Sequence, residues 1–138
     1  MGATEDSSAN PAALARVLAV DDHEPFRAVI RRLVEAAAGL NLLGEADSGE
    51  RAVEAAEELQ PDMVVMDVVM PGIGGLHAAR RIKEQRPATV VVLVSTTHPD
   101  DLPTEAADCR ADEIVWKPEL RPGLLETIWL DHGGARKG

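Results

Sequence analysis

The chain has no tyrosine, and its only other large aromatic side chains are Phe26, Trp116 and Trp129. So sparse a set offers no stacking platform for single-stranded nucleic acid and leaves the core to aliphatic side chains. Cysteine occurs once, as Cys109, so no internal disulfide can form, and the compartment expected is a reducing cytoplasm. No apolar run approaches the length that crosses a bilayer, and the opening residues do not read as a secretory leader. Basic residues are also in short supply: 14 Lys and Arg stand against 24 Asp and Glu, a formal net charge of −10. That sign repels phosphate backbones, so the partners expected are proteins, with no direct nucleic-acid or membrane contact through this chain.

What is present suits one soluble domain. The 138 residues are 45% hydrophobic and 28% charged, enough to bury a sizeable core without a disulfide or a structural metal. Residues 1–14 are polar and small and read as a disordered tail, 15–132 as the domain, and 133–138 as a second tail.

Within the domain, short branched runs alternate with helical stripes. Val17 to Val20 reads as a strand stopped by Asp21 and Asp22, and Pro25 then opens a helix whose Phe26, Val29, Ile30, Leu33 and Val34 share one face. Leu42 to Ala46, broken by Gly44, suits an edge strand, and Ser48 caps a second helix that Pro61 ends. Met63 to Asp67 reads as a strand buried on both faces, with a third helix from about Gly75 to Arg86 after it. Val90 to Val94 is an unbroken branched run ending at Ser95. A short helix is expected between His98 and Arg110, where Pro99 and Pro103 leave room for about two turns. Ile114 to Trp116 forms a fifth strand, ended by Lys117 and Pro118, and a last helix is expected from about Pro122 to Asp131. This alternation predicts an α/β fold, a doubly wound five-stranded parallel sheet with helices on both faces.

In such a sheet the strands' C-terminal tips lie along one edge, where ligands bind. Asp21 with Asp22, Asp67, Ser95 and Lys117 all fall at tips, and the loop Pro71, Gly72, Gly74 and Gly75 leaves Asp67 at the end of its strand. Carboxylates gathered there repel by about 4 kcal/mol per pair at 4 Å and an effective dielectric of 20, so a cation is needed. Oxygen-only donors favour Mg²⁺ over zinc. With a dication, an ammonium and a hydroxyl about one carboxylate, the site is suited to phosphoryl transfer, Asp67 being the nucleophile and an aspartyl phosphate the product.

These residues reach a known family. Val-Asp-Asp-His at 20 to 23, Met-Asp-Val-Val-Met-Pro-Gly at 66 to 72, Ser95 after an apolar strand, and Lys117-Pro118 together resemble the receiver domain of bacterial two-component response regulators. The likeness runs from about Arg16 to Asp131, and its start is similar to regulators that carry a helix-turn-helix output. It implies a flavodoxin-like sheet of order 2-1-3-4-5 and a sensor histidine kinase or phosphotransfer protein as donor to Asp67. It further implies Mg²⁺ held by Asp21, Asp22, Asp67 and the main-chain carbonyl of Val69, and phosphoryl oxygens held by Ser95 and Lys117. The surface switched would be the fourth helix, fifth strand and fifth helix, about His98 to Asp131. It would act on a downstream protein or an output domain beyond this chain, or through a phosphorylation-dependent homodimer.

The chain departs from the family pattern where signalling is usually located. Ile114 stands where an aromatic is common, and Trp116, on the same strand face, is the residue expected to report or partly replace its movement. Arg110 stands where glycine is frequent, and Gly74 where Asp often is. Two other readings share the fold: a pseudo-receiver that only binds a protein, and a phosphohydrolase using Asp67 on outside substrates. The second needs an acid two residues after the nucleophile, and Val69 is there.

Overall fold

The structure, a computed structural model, describes residues 14–134; the tails expected at 1–14 and 133–138 therefore lie mostly outside the described residues. Five strands form one parallel sheet: β1 (Ala15–Val20), β2 (Leu40–Ala46), β3 (Met63–Asp67), β4 (Val90–Ser95) and β5 (Glu113–Trp116). Their spatial order is β2-β1-β3-β4-β5, which is the 2-1-3-4-5 order implied by the family resemblance. Four α-helices connect and cover them: α1 (Glu24–Ala36), α2 (Gly49–Leu59), α3 (Gly74–Gln85) and α4 (Pro122–Ile128).

Strand parity divides the core in two. Val17, Ala19, Met63, Val65, Val90, Val92 and Val94 face α1 and α4 and meet Ile30, Val34, Leu125 and Ile128. Their neighbours Leu18, Val20, Val64, Met66, Val91 and Leu93 face α2 and α3 and meet Ala52, Val53, Ala56, Ala79 and Ile82. The branched runs are continuous because both strand faces are covered. The edge strand β2 is the exception: its register against β1 slips between Val17 opposite Leu42 and Leu18 opposite Gly44, a bulge at the glycine seen in the sequence.

Local chemistry sets the helix ends. The Ser48 hydroxyl accepts from the Arg51 N–H at 3.1 Å, Pro25 lies in the first turn of α1, and Gln60 leaves α2 in the left-handed conformation just before Pro61. Lys83, at the end of α3, donates to the carbonyls of Pro87 and Thr89 and to Asp112, at 2.8–2.9 Å. Asp112 Oδ2 also accepts from the Val91 N–H at 2.8 Å, so one nearly buried ion pair ties α3 to the β4–β5 entry.

Two expectations need correction. No α-helix forms between His98 and Arg110; the segment holds two 3-10 turns, Pro99–Asp101 and Thr104–Asp108. Pro99 and Pro103 each lack the N–H that a continuous helix would require, and each resets the chain before a second α-helical turn closes. The last helix stops being α-helical at Ile128 and widens into a π-helical turn, Trp129–Gly134. Gly133 lies against the Trp129 ring so closely that an added Cβ would fall 1.8 Å from it, so only glycine completes this turn.

Candidate functional site

The sheet order reverses between β1 and β3, and the acids stand at that switch. Asp21 and Asp22 follow β1, Asp67 ends β3, and one carboxylate oxygen of each lies within 4.8 Å of the others. Asp21 and Asp67 are buried and Asp22 is exposed. Lys117, just after β5, brings its ammonium to 3.7 Å from Asp67 Oδ2. The structure thus gathers four of the predicted site residues from three separate strands.

Each carboxylate is held by its own loop. Asp21 Oδ1 accepts the His23 N–H at 2.7 Å, and Asp67 Oδ1 accepts the Val69 N–H at 3.0 Å. The Arg27 guanidinium donates to the Asp21 carbonyl at 2.7 Å and to Glu45 at 3.0 Å, tying the β1 tip to α1 and β2. Behind Asp67, α3 starts so close that a Cβ on Gly75 would come 2.1 Å from the Asp67 carbonyl oxygen. Glycine at 75 is therefore a steric requirement of the site.

Burial leaves one oxygen unsatisfied. Asp21 Oδ2 is enclosed and has no hydrogen-bond partner. Loss of hydration holds the Asp21 carboxyl up at about 6, opposed by the His23 N–H, with the Asp67 charge adding to the rise and Lys117 opposing it. A buried oxygen without a donor, on one of three carboxylates that approach within 4.8 Å, belongs to a donor set that fits a hard dication such as Mg²⁺.

The other predicted residues are placed as follows. Ser95 ends β4, buried, with its register partner Trp116 on β5. Its hydroxyl donates to the Thr97 carbonyl at 2.8 Å and accepts the Thr97 N–H at 2.9 Å, so it is turned to its own loop and not to Asp67. The Val69 side chain is 71% exposed. Ile114 packs at the margin of the α2–α3 side of the core. The Trp116 indole N–H donates to the Thr96 carbonyl at 3.3 Å and its ring meets His98 edge-on at 5.2 Å.

Three contributors escaped the sequence reading. Phe26 sits with its ring centroid 3.8 Å from the Lys117 ammonium; its place on the apolar stripe of α1 already accounted for it as core. Glu50 accepts the Ile73 N–H at 3.3 Å and crowds Gly72, bracing the loop after Asp67 from α2. Thr97, whose backbone holds the Ser95 hydroxyl, has no local signal that sets it apart from Thr96.

The fold and this edge define a protein of the receiver class, and comparison with known proteins agrees. The chain belongs to the response regulator receiver domain family, whose sequence model matches residues 17–128. It is similar to the response regulator GacA of Pseudomonas viridiflava, 40% identical over 121 residues, covering 88% of this chain and 56% of that protein. It is likewise similar to the response regulator UvrY of Escherichia coli K12, at 42% identity with 87% and 55% covered. The chain thus spans just over half the length of these relatives. Among solved structures, the signal receiver domain of the putative response regulator NarL from Mycobacterium tuberculosis superposes with a TM-score of 0.78 at 28% identity, covering 89% of this chain and 98% of that one. The response regulator domain of Thermotoga maritima CheB gives 0.74 at 32% identity, with 88% and 97% covered.

Proposed function

We propose that Asp67 accepts a phosphoryl group from the phosphohistidine of a sensor histidine kinase or phosphotransfer protein, and that the modification switches a protein-interaction surface. The observation that carries this reading is the approach of Asp21, Asp22 and Lys117 to one carboxylate from three strand tips. An Asp67 oxygen forms the new bond to phosphorus as the donor's phosphorus–nitrogen bond breaks. Lys117 stands beside the attacking carboxylate and offsets the charge of the phosphoryl oxygens. Asp21, Asp22, Asp67 and the Val69 carbonyl would hold Mg²⁺, which when bound supplies positive charge to those same oxygens. With Val69 where a leaving-group acid would be needed, the chemistry is confined to the chain's own phosphorylation and dephosphorylation and is not multiple turnover.

The switch follows from the hydroxyl. The Ser95 hydroxyl has one proton, so donating it to a phosphoryl oxygen means giving up the Thr97 carbonyl, while the Thr97 N–H can stay on the Ser95 oxygen and carry the movement into the Thr96–Thr97 strand exit. Two or three charge-assisted hydrogen bonds at about 1.5–3 kcal/mol each reach the roughly 5.5 kcal/mol that inverts a 1:99 equilibrium. The responding surface comprises the 3-10 turns between Pro99 and Asp108, β5 with Ile114 and Trp116, and α4. It would act on a downstream protein, an output domain or a second phosphorylated copy, in the cytoplasm and without direct nucleic-acid contact by this chain.

Intact-protein mass spectrometry after acetyl phosphate treatment tests the assignment. The expected result is a gain of one phosphoryl group that requires Mg²⁺ and is lost in Asp67→Asn; incorporation that survives Asp67→Asn overturns it.

A further inference from the structure

Lys117 lies between two surfaces, and only one of them is the carboxylate. Its ammonium is 3.7 Å from Asp67 Oδ2, longer than a charge-assisted hydrogen bond, and 3.8 Å from the centroid of the Phe26 ring. At that separation the negative face of the ring attracts the cation. A lysine is a point charge on a four-carbon stem with many rotamers, so a carboxylate beyond hydrogen-bond reach does not fix where the charge sits. The ring supplies the second wall.

The placement of Phe26 is built into the same turn that presents the acids. Its N–H donates to the His23 carbonyl at 3.1 Å, Pro25 precedes it, and the next residue, Arg27, holds the Asp21 carbonyl at 2.7 Å. The ring is half-buried against the α1–α4 side of the core, an aliphatic setting that leucine also suits. What leucine cannot supply is the quadrupole. We propose that Phe26 is a positioning residue for Lys117, its ring face holding the ammonium beside Asp67 in readiness for the phosphoryl oxygens. This inference rests on the reading of Asp67 as phosphoacceptor; Phe26 itself touches no reacting atom.

The composition makes the test clean. Phe26 is the chain's single phenylalanine, so biosynthetic replacement by ring-fluorinated phenylalanines alters this ring alone. Fluorination keeps the shape and apolar character and withdraws charge from the ring face. With Mg²⁺ and acetyl phosphate, the phosphorylation rate of the full chain is expected to fall stepwise with fluorine number, by about three- to tenfold for the trifluorinated ring. The dependence should vanish in Lys117→Met, and Phe26→Trp should keep a rate that Phe26→Leu loses. Equal rates across the fluorinated series in a protein that phosphorylates normally would overturn the proposal. A second readout needs no phosphorylation: the ¹⁹F resonance of the monofluorinated ring should move on Lys117→Met, and an unmoved resonance also overturns it. Failure of the unsubstituted protein to take up phosphate would instead refute the phosphoacceptor reading, and the ¹⁹F comparison would then decide the fate of the Phe26 contact alone.

Discussion

The Ser95 hydroxyl is closed onto Thr97, donating to its carbonyl at 2.8 Å and accepting its N–H at 2.9 Å. The residue between them, Thr96, offers its carbonyl to the Trp116 indole at 3.3 Å. A hydroxyl that leaves Thr97 for a phosphoryl oxygen therefore disturbs the acceptor of the Trp116 N–H. In a Trp129→Phe background, Trp116 emission should change when the protein is phosphorylated, and the change should be lost in Ser95→Ala. Unaltered emission from protein carrying a full phosphoryl group by mass would refute this coupling.

Arg110 enters β5 with φ of +66°, a conformation that costs an ordinary L-residue about 1–2 kcal/mol. Glycine adopts it freely, although it loses more entropy on folding. The net expectation is that Arg110→Gly stabilises the fold by about 0.5–1 kcal/mol, read as a higher urea midpoint with an unchanged slope. A lower midpoint would show that the Arg110 side chain contributes more than its backbone costs.

The parts legible in the sequence were those set by periodicity and by abrupt changes of polarity. Branched runs such as Met63–Asp67 and Val90–Ser95 announce strands buried on both faces, and an acid or hydroxyl ending such a run announces a tip at the ligand edge. What stayed hidden depends on contacts between residues far apart in the chain. Phe26 fits the apolar stripe of α1 whether or not a lysine arrives 91 positions later, and nothing local shows that Glu50 reaches the Ile73 N–H. The π-helical ending depends on Gly133 fitting over the Trp129 ring. In the stretch after His98, the prolines ruled out a long helix, but the choice between one short α-helix and two 3-10 turns was not readable from them.

Val69 presents an apolar, mostly exposed side chain beside the acceptor, with its N–H on Asp67 Oδ1 at 3.0 Å. That side chain can neither donate nor accept a hydrogen bond to an attacking water. The aspartyl phosphate should accordingly be long-lived, and Val69→Asn should shorten its lifetime by roughly an order of magnitude, the worth of one good hydrogen bond. Loss of radiolabelled phosphate after donor removal measures this. Slower loss in the variant than in the parent protein would contradict it.

Asp21 carries an opposing cost of its own. Burial raises its carboxyl from 3.8 to about 6, so the folded protein retains a proton that the unfolded chain releases between those values. The sign follows: this group favours the fold most below about pH 4, its contribution is lost as pH climbs toward 6, and above that the penalty of a buried charge is constant. Asp21→Asn removes the charge, so at pH 7.5 without metal the variant should melt about 3–6 °C higher than the parent. Near pH 4 the two should converge. Added Mg²⁺ should stabilise the parent in proportion to its occupancy and leave the variant almost unmoved, narrowing or reversing the order. Differential scanning calorimetry across this pH range, with and without Mg²⁺, gives the answer. A gain as large at pH 4 as at pH 7.5 would mean that the substitution acts through packing and that the enclosed Asp21 oxygen is not where the charge is paid for.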